Sequence, residues 1–143
     1  MIFQKKDNLI SARLLSFCGL WLIGLGIYFI IFRPSLLPED ARYMGTTIIE
    51  IKTILPRIKN WLHKVFTVMG GFMMGAGVLT LFLANKVMPL RLNGTSWIIA
   101  ISGVSTVMLM SGINFVLNSD FKFLLVVPAL VWITSFLLYI LGR

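Results

Sequence analysis

Charged residues are scarce in this chain, and their scarcity excludes an ordinary water-soluble domain. Lys, Arg, Asp and Glu together make up 13% of the 143 residues, against about 25% in typical soluble domains. The mean hydropathy is +0.93. A soluble domain of this length cannot bury that much apolar surface, so the composition predicts a protein solvated largely by lipid.

Cysteine and histidine occur once each, as Cys18 and His63. This excludes an internal disulfide, a CxxC redox pair, a zinc site built from Cys and His, and a haem held by two histidines. Six methionines between positions 69 and 110 offer soft thioether ligands for copper(I). Methionine is also a common filler of irregular apolar gaps, and we predict no metal site and no cofactor.

Asp, Glu, Lys, Arg and His are absent from four long segments of 19 to 21 residues. About 20 helical residues cross a hydrocarbon core of about 30 Å. The segments are 14–32, 65–84, 97–117 and 123–141. They predict an all-α integral membrane protein in which residues 1–143 form a single transmembrane domain. Because no span carries a carboxylate, we do not expect a proton-driven exporter.

The connections after the second and third spans, NKVMPLRLNGTS and NSDFK, are short. Short connections make consecutive helices neighbours that run in opposite directions. The fold class that follows is an integral membrane antiparallel four-helix bundle.

Cations flank the predicted spans and account for the net charge of +8. Such cations are attracted to anionic lipid headgroups. We therefore expect this positive charge to interact with the lipid bilayer and not with nucleic acid. Six cations lie on the side of both termini and seven on the other side. Because the six sit in short tails and one short loop, we predict a bacterial inner (plasma) membrane protein with both termini in the cytoplasm.

The connection between the first and second spans contains an interfacial segment over about 38–60. Its apolar residues recur at helical spacing, which predicts an amphipathic interfacial helix; they are Ile48, Ile51, Leu55, Ile58 and Leu62. Pro56 disfavours a helical Leu55, so we expect one helix to end near Ile54 and the next to start at Pro56. The segment is either a plain connector lying on the lipid or a docking surface, and the sequence leaves both open.

The stretch LLPEDARYMG (36–45) places two acidic residues directly after the first span. Pro38 suits the first position of a helix, and Glu39 and Asp40 then face the positive end of the helix dipole. We predict a short surface helix that stops at Gly45. The residues expected at the interface are Glu39, Asp40, Arg42, Trp61 and His63. With Tyr43, some of these could form a membrane enzyme site, but so sparse a set of polar groups predicts no catalytic residue and no enzyme.

Glycines recur with the same G-x4-G-x-G spacing in the first two spans. The residues expected to mediate helix packing are Gly19, Gly24, Gly26, Gly70, Gly71, Gly75 and Gly77. Glycines let helix backbones approach closely in lipid, so we predict that the first two helices cross near the bilayer midplane. A homo-oligomer interface and a groove for a flat apolar ligand are the alternatives.

The third span is the most polar of the four. Thr106 and Asn114 lie on one helical face, where they could bond neighbouring helices. The other interpretation is a polar spot in a ligand cavity.

Four spans in 143 residues, the long first connection and the GGFMMGAG opening of the second span resemble the small DoxX-like membrane proteins. The resemblance implies a four-helix membrane bundle. Some members of that family are accessory subunits of quinone-linked or thiol redox complexes. No catalytic residue is implied at any position of this chain.

Together these features predict a non-enzymatic accessory or oligomerising membrane subunit. Its partner would be another membrane protein or a second copy of itself. The alternative is a binder or carrier of a lipid or quinone-like apolar molecule within the bundle.

Overall fold

The computed structural model describes the backbone of residues 2–142 and the side chains of residues 9–142. This part of the chain is 83% helical and has no strand. Its α-helices are α1 (Ile2–Ile31), α2 (Pro38–Tyr43), α3 (Ile48–Ile54), α4 (Ile58–Phe82), α5 (Thr95–Gly103), α6 (Leu109–Val116) and α7 (Lys122–Leu141). The side chains of Lys5, Lys6, Asp7 and Arg143, which enter the prediction of orientation, lie outside the described residues.

Four helical stretches are long and apolar enough to cross a membrane. They are Leu9–Ile31, Ile58–Leu90, Thr95–Val116 and Lys122–Leu141. The prediction of four spans is therefore confirmed by length and composition. The second stretch extends beyond the predicted 65–84 at both ends, because Lys64 and Lys86 limit the uncharged run without ending the helical stretch.

Two of the four stretches depart from regular α-helix. A π-helical turn (Leu83–Val87) and a 3-10 turn (Met88–Leu90) follow α4. A second π-helical turn (Val104–Met108) joins α5 to α6. Each π turn adds a residue to the helix and shifts the faces that follow it, so helical spacing read from the sequence does not carry across these turns.

The first and last long helices form the centre of the fold. α1 packs along both α4 and α7, and α7 packs along α5 and α6. Side chains from these helices form a core of fully or nearly fully buried residues, among them Leu15, Cys18, Ile99, Val107, Trp132 and Tyr139.

Buried polar side chains join α1 to α7. The Ser11 hydroxyl donates to the Ser135 carbonyl oxygen at 2.7 Å, and the Ser135 hydroxyl donates to the Ser11 carbonyl oxygen at 2.8 Å. Further along, the Cys18 thiol donates to the Pro128 carbonyl oxygen at 3.4 Å. The contacts follow opposite order along the two helices. They satisfy polar groups that would otherwise be left unpaired in apolar surroundings.

Candidate functional site

A close backbone contact lies between α1 and α4, at four of the predicted glycines. A Cβ atom added to Gly26 would lie 2.6 Å from the Gly70 carbonyl oxygen, and one added to Gly77 would lie 2.6 Å from the Gly19 carbonyl oxygen. Real Cβ atoms do not approach that closely, so only glycine fits at these positions. The two backbones therefore pack directly against each other. Because the hydrophobic effect does not drive helices together in lipid, such close packing at small residues stabilises their association.

The other three predicted packing glycines do not take part in this contact. Gly24, Gly71 and Gly75 are exposed, and an added Cβ would meet no atom within 4 Å. Gly24 lies two residues from Gly26, and two residues turn a helix by about 200°. The shared spacing of the two sequence motifs therefore places part of each motif on the outer surface.

The acidic residues of α2 bind different partners. α2 begins at Pro38 with Glu39 and Asp40 in its first turn, and Asp40 accepts a hydrogen bond from the Leu37 backbone N–H at 2.8 Å. The carboxylate of Glu39 reaches the turn between α6 and α7. It accepts from the Ser119 hydroxyl and from the Asp120 backbone N–H, both at 2.9 Å. Asp40 therefore caps its own helix, whereas Glu39 ties α2 to the turn before α7.

Arg42 also connects α2 to the turn between α6 and α7. Its guanidinium donates to the Asn118 carbonyl oxygen at 3.2 Å and pairs with the Asp120 carboxylate at 3.1 Å. Ser119 is buried and its hydroxyl also accepts from the Phe121 backbone N–H. These contacts explain why the polar residues cluster here: they hold α2 against the turn between α6 and α7.

Glu39→Gln is expected to lower the free energy of unfolding by about 1 kcal/mol, because charge-assisted hydrogen bonds to a partly buried turn are lost. The amides of the α6–α7 turn should then exchange faster with deuterium. Asp40→Asn is the matched control, since its partner is the N–H of Leu37, which directly precedes α2, and the α6–α7 turn should keep its exchange rate. Equal exchange in both variants would contradict the tie.

The two remaining residues predicted at the interface lie on α4. Trp61 is 60% exposed and His63 is also exposed. Trp61 borders an open apolar groove with Ile54, Leu55 and Ile58. The structure thus joins Glu39 and Arg42 through the α6–α7 turn and leaves Trp61 and His63 at the surface.

The helix before this groove, α3, has a reciprocal cap. The Glu50 backbone N–H donates to the Thr47 hydroxyl, and the Thr47 backbone N–H donates to the Glu50 carboxylate. The Thr46 hydroxyl donates to the same carboxylate at 2.6 Å. α3 ends at Ile54, where the sequence places its end. α4 begins at Ile58, two residues after the predicted Pro56, since Pro56 and Arg57 form a turn.

The cap makes the stability of α3 dependent on pH. Hydrogen bonds from Thr46 and Thr47 lower the pKa of Glu50 below its ordinary 4.5. A lowered folded-state pKa means that the stabilisation is complete above pH 4.5 and is lost as the pH falls through the folded value. A carboxyl NMR titration should show Glu50 protonating below pH 4.5. In Thr47→Ala its pKa should rise towards 4.5, and an unchanged titration would refute the cap.

The polar residues of the third span bond within their own helix. The Thr106 hydroxyl donates to the Ser102 carbonyl oxygen, and the Asn114 amide donates to the Met110 carbonyl oxygen at 2.9 Å. Both side chains are half-buried. One hydrogen bond that joins this span to α7 was not predicted: the Trp132 indole N–H donates to the Ile99 carbonyl oxygen at 2.9 Å.

Gly103 makes this contact possible. A Cβ added there would lie 2.9 Å from the Cε2 atom of the Trp132 ring, so a larger residue would displace the ring. No pattern in the sequence marks this pair, because Gly103 stands outside the repeated glycine motif.

Within the described residues, no three His, Cys, Asp or Glu side chains come together in a group that could hold a metal ion. Comparison of the chain with protein families, with characterised proteins and with solved structures yields no match. Proposals about its function therefore depend on its own residues.

Proposed function

We propose that this protein is a non-enzymatic subunit of the bacterial inner membrane that associates through an exposed glycine face of α4. The proposal includes an antiparallel four-helix bundle, an amphipathic interfacial helix at α3 and both termini in the cytoplasm. The resemblance of its layout to that of DoxX-like proteins, some of which are accessory subunits, supports the same proposal.

The observation that carries this proposal is the surface around Gly71 and Gly75. The two glycines are four residues apart, so they lie on one side of α4, and nothing in the fold lies within 4 Å of either added Cβ. Val68 and Val78 flank them with exposures of 60% and 56%. We call these four residues the outer glycine face.

A second copy of the chain is the occupant that we propose for the outer glycine face. A G-x3-G pair lets two identical helices approach closely in lipid. The glycines between α1 and α4 are not available to a second copy, because they already form the contact between these two helices. They are Gly19, Gly26, Gly70 and Gly77. A lipid or quinone carrier has less support, since Thr106 and Asn114, its proposed anchors, bond to carbonyls of their own helix.

The test is the mass of the purified protein in mild detergent, measured by native mass spectrometry and sedimentation. The wild type should be oligomeric and Gly71→Leu/Gly75→Leu should be a folded monomer. Gly112→Leu is the matched control, because Gly112 is exposed with open space around it on another span. A wild type that stays monomeric at all concentrations, or an oligomer that survives the double substitution, would overturn the proposal. Co-purification of a different membrane protein through this face would replace the second copy as partner.

A further inference from the structure

A pocket lined by cations lies where the chain leaves the first span and enters the second. Its volume is about 380 Å³, which is within the range of about 300–1,000 Å³ typical of ligand sites. Arg33, Lys52 and Lys59 contribute its charge, and Ser35, Leu36 and Ile48 contribute most of the remaining wall. We call this the basic pocket.

The position of the basic pocket places it at headgroup depth. Arg33 follows the end of the first candidate span by two residues, and Lys59 follows the start of the second by one. Lys52 comes from α3, which lies between the two spans in the chain. A cationic pocket at this depth faces the layer in which lipid phosphates lie.

Each carboxylate near the basic pocket accepts hydrogen bonds from groups outside the pocket. Glu39 binds the α6–α7 turn, Asp40 binds the Leu37 N–H, and Glu50 binds Thr46 and Thr47. Among the described side chains, the ion pair found is Arg42–Asp120. The three pocket cations thus have no carboxylate within 4.0 Å in the part of the chain that the structure describes.

Arg33 is held in place before any ligand binds. Its guanidinium lies 3.6 Å from the centre of the Phe66 ring and 5.1 Å from that of Phe29, and it donates to the Pro34 carbonyl oxygen at 3.1 Å. Burial lowers the pKa of Arg33, while nearby Asp40, Tyr28 and Glu39 act to raise it. A guanidinium has five N–H donors in a fixed plane, so a fixed Arg33 suits bidentate recognition of a phosphate.

We propose that the basic pocket binds a phosphate group at the membrane surface, with Arg33 as the planar donor and Lys52 and Lys59 as flanking charges. Leu36 and Ile48 supply an apolar wall against which the glycerol or acyl part of a lipid would lie. The phosphate belongs either to an anionic phospholipid headgroup or to a small soluble phosphate, and both share the chemistry that the pocket recognises.

The first arm of the experiment measures lipid retention by the full-length protein. In mixed micelles containing phosphatidylglycerol and phosphatidylcholine, native mass spectrometry should show preferential retention of phosphatidylglycerol. Lys52→Gln/Lys59→Gln should weaken that retention about tenfold. Arg57→Gln/Lys64→Gln removes the same charge from exposed positions outside the basic pocket on the same side, and should change it less than about twofold.

The second arm distinguishes a lipid phosphate from a soluble phosphate. It also distinguishes recognition by hydrogen-bond geometry from attraction by charge alone. Calorimetric titration of lipid-free protein with inorganic phosphate should give heat if a soluble phosphate is sufficient for binding. It should give none if contact of a lipid with Leu36 and Ile48 is also required. Arg33→Lys retains the charge but loses the planar fork, so it should weaken binding severalfold if phosphate is recognised by geometry.

The proposal is supported if phosphatidylglycerol or inorganic phosphate binds, and if that binding is lost in the pocket variants and kept in the control. The probe that binds then identifies the source of the phosphate. Equal losses in the pocket and control double variants would show general charge attraction and overturn it. The absence of both a preference for phosphatidylglycerol and a response to phosphate would also overturn it.

Discussion

Gly26→Val is expected to destabilise the protein by about 3 kcal/mol or to prevent folding, because the added side chain would collide with the backbone of α4. The nearest backbone atom to an added Cβ is the Gly70 carbonyl oxygen at 2.6 Å. A backbone oxygen cannot rotate away as a side chain can, so α1 and α4 would have to separate. The free energy of unfolding, measured by titrating mixed micelles with a denaturing detergent, provides the check.

Gly24→Val is the matched control for this prediction. Gly24 lies two residues away in the same helix, and an added Cβ there meets nothing within 4 Å. Its change in unfolding free energy should stay within about 0.5 kcal/mol. If both variants lose stability to the same extent, the cost comes from valine in the helix and the α1–α4 contact is not what Gly26 provides.

Trp132→Ala should cost about 3–5 kcal/mol, since it removes the largest fully buried side chain from the contact between α7 and the third span. Part of the cost comes from the cavity and part from the hydrogen bond to the Ile99 carbonyl oxygen, which is 2.9 Å long. Trp132→Phe keeps most of the volume and should cost about 1 kcal/mol, close to the value of an interhelical hydrogen bond in a membrane.

Trp97→Ala serves as the control for Trp132→Ala. Trp97 is 73% exposed, so its removal leaves no cavity and should change the unfolding free energy by less than about 1 kcal/mol. Equal effects of the two substitutions would mean that the third span does not depend on α7 for its position.

The α1–α4 contact shows how far the sequence alone could predict this protein. The repeated glycine spacing pointed to the correct pair of helices, because glycine in a lipid-solvated helix has few other uses. It could not separate Gly26 from Gly24, since both stand in the same motif. The rotation of α1 about its axis decides which one meets α4, and that rotation is set by packing along the whole helix.

The surface residues also separate what local sequence predicts from what depends on contacts between distant segments. The start of α2 at Pro38 and the end of α3 at Ile54 follow from the chemistry of proline and helix caps, which acts over a few residues. The bond from Glu39 to Ser119 joins positions 80 residues apart. The basic pocket likewise draws its cations from three separate segments. No local rule connects such residues. The sequence placed Glu39 in the first turn of α2 and could not show that its carboxylate binds the α6–α7 turn.

The sequence alone predicts an all-helical protein with four helices able to cross a membrane, and it predicts two of the boundaries of the surface helices. Those properties depend on the length of an uncharged run and on short-range capping, so they can be read one segment at a time. The packing of the helices determines which glycines are buried, what Glu39 binds, and that Arg33, Lys52 and Lys59 line one pocket. Each of these is a relation between distant segments, and it exists only once the helices have packed in one rotation and register.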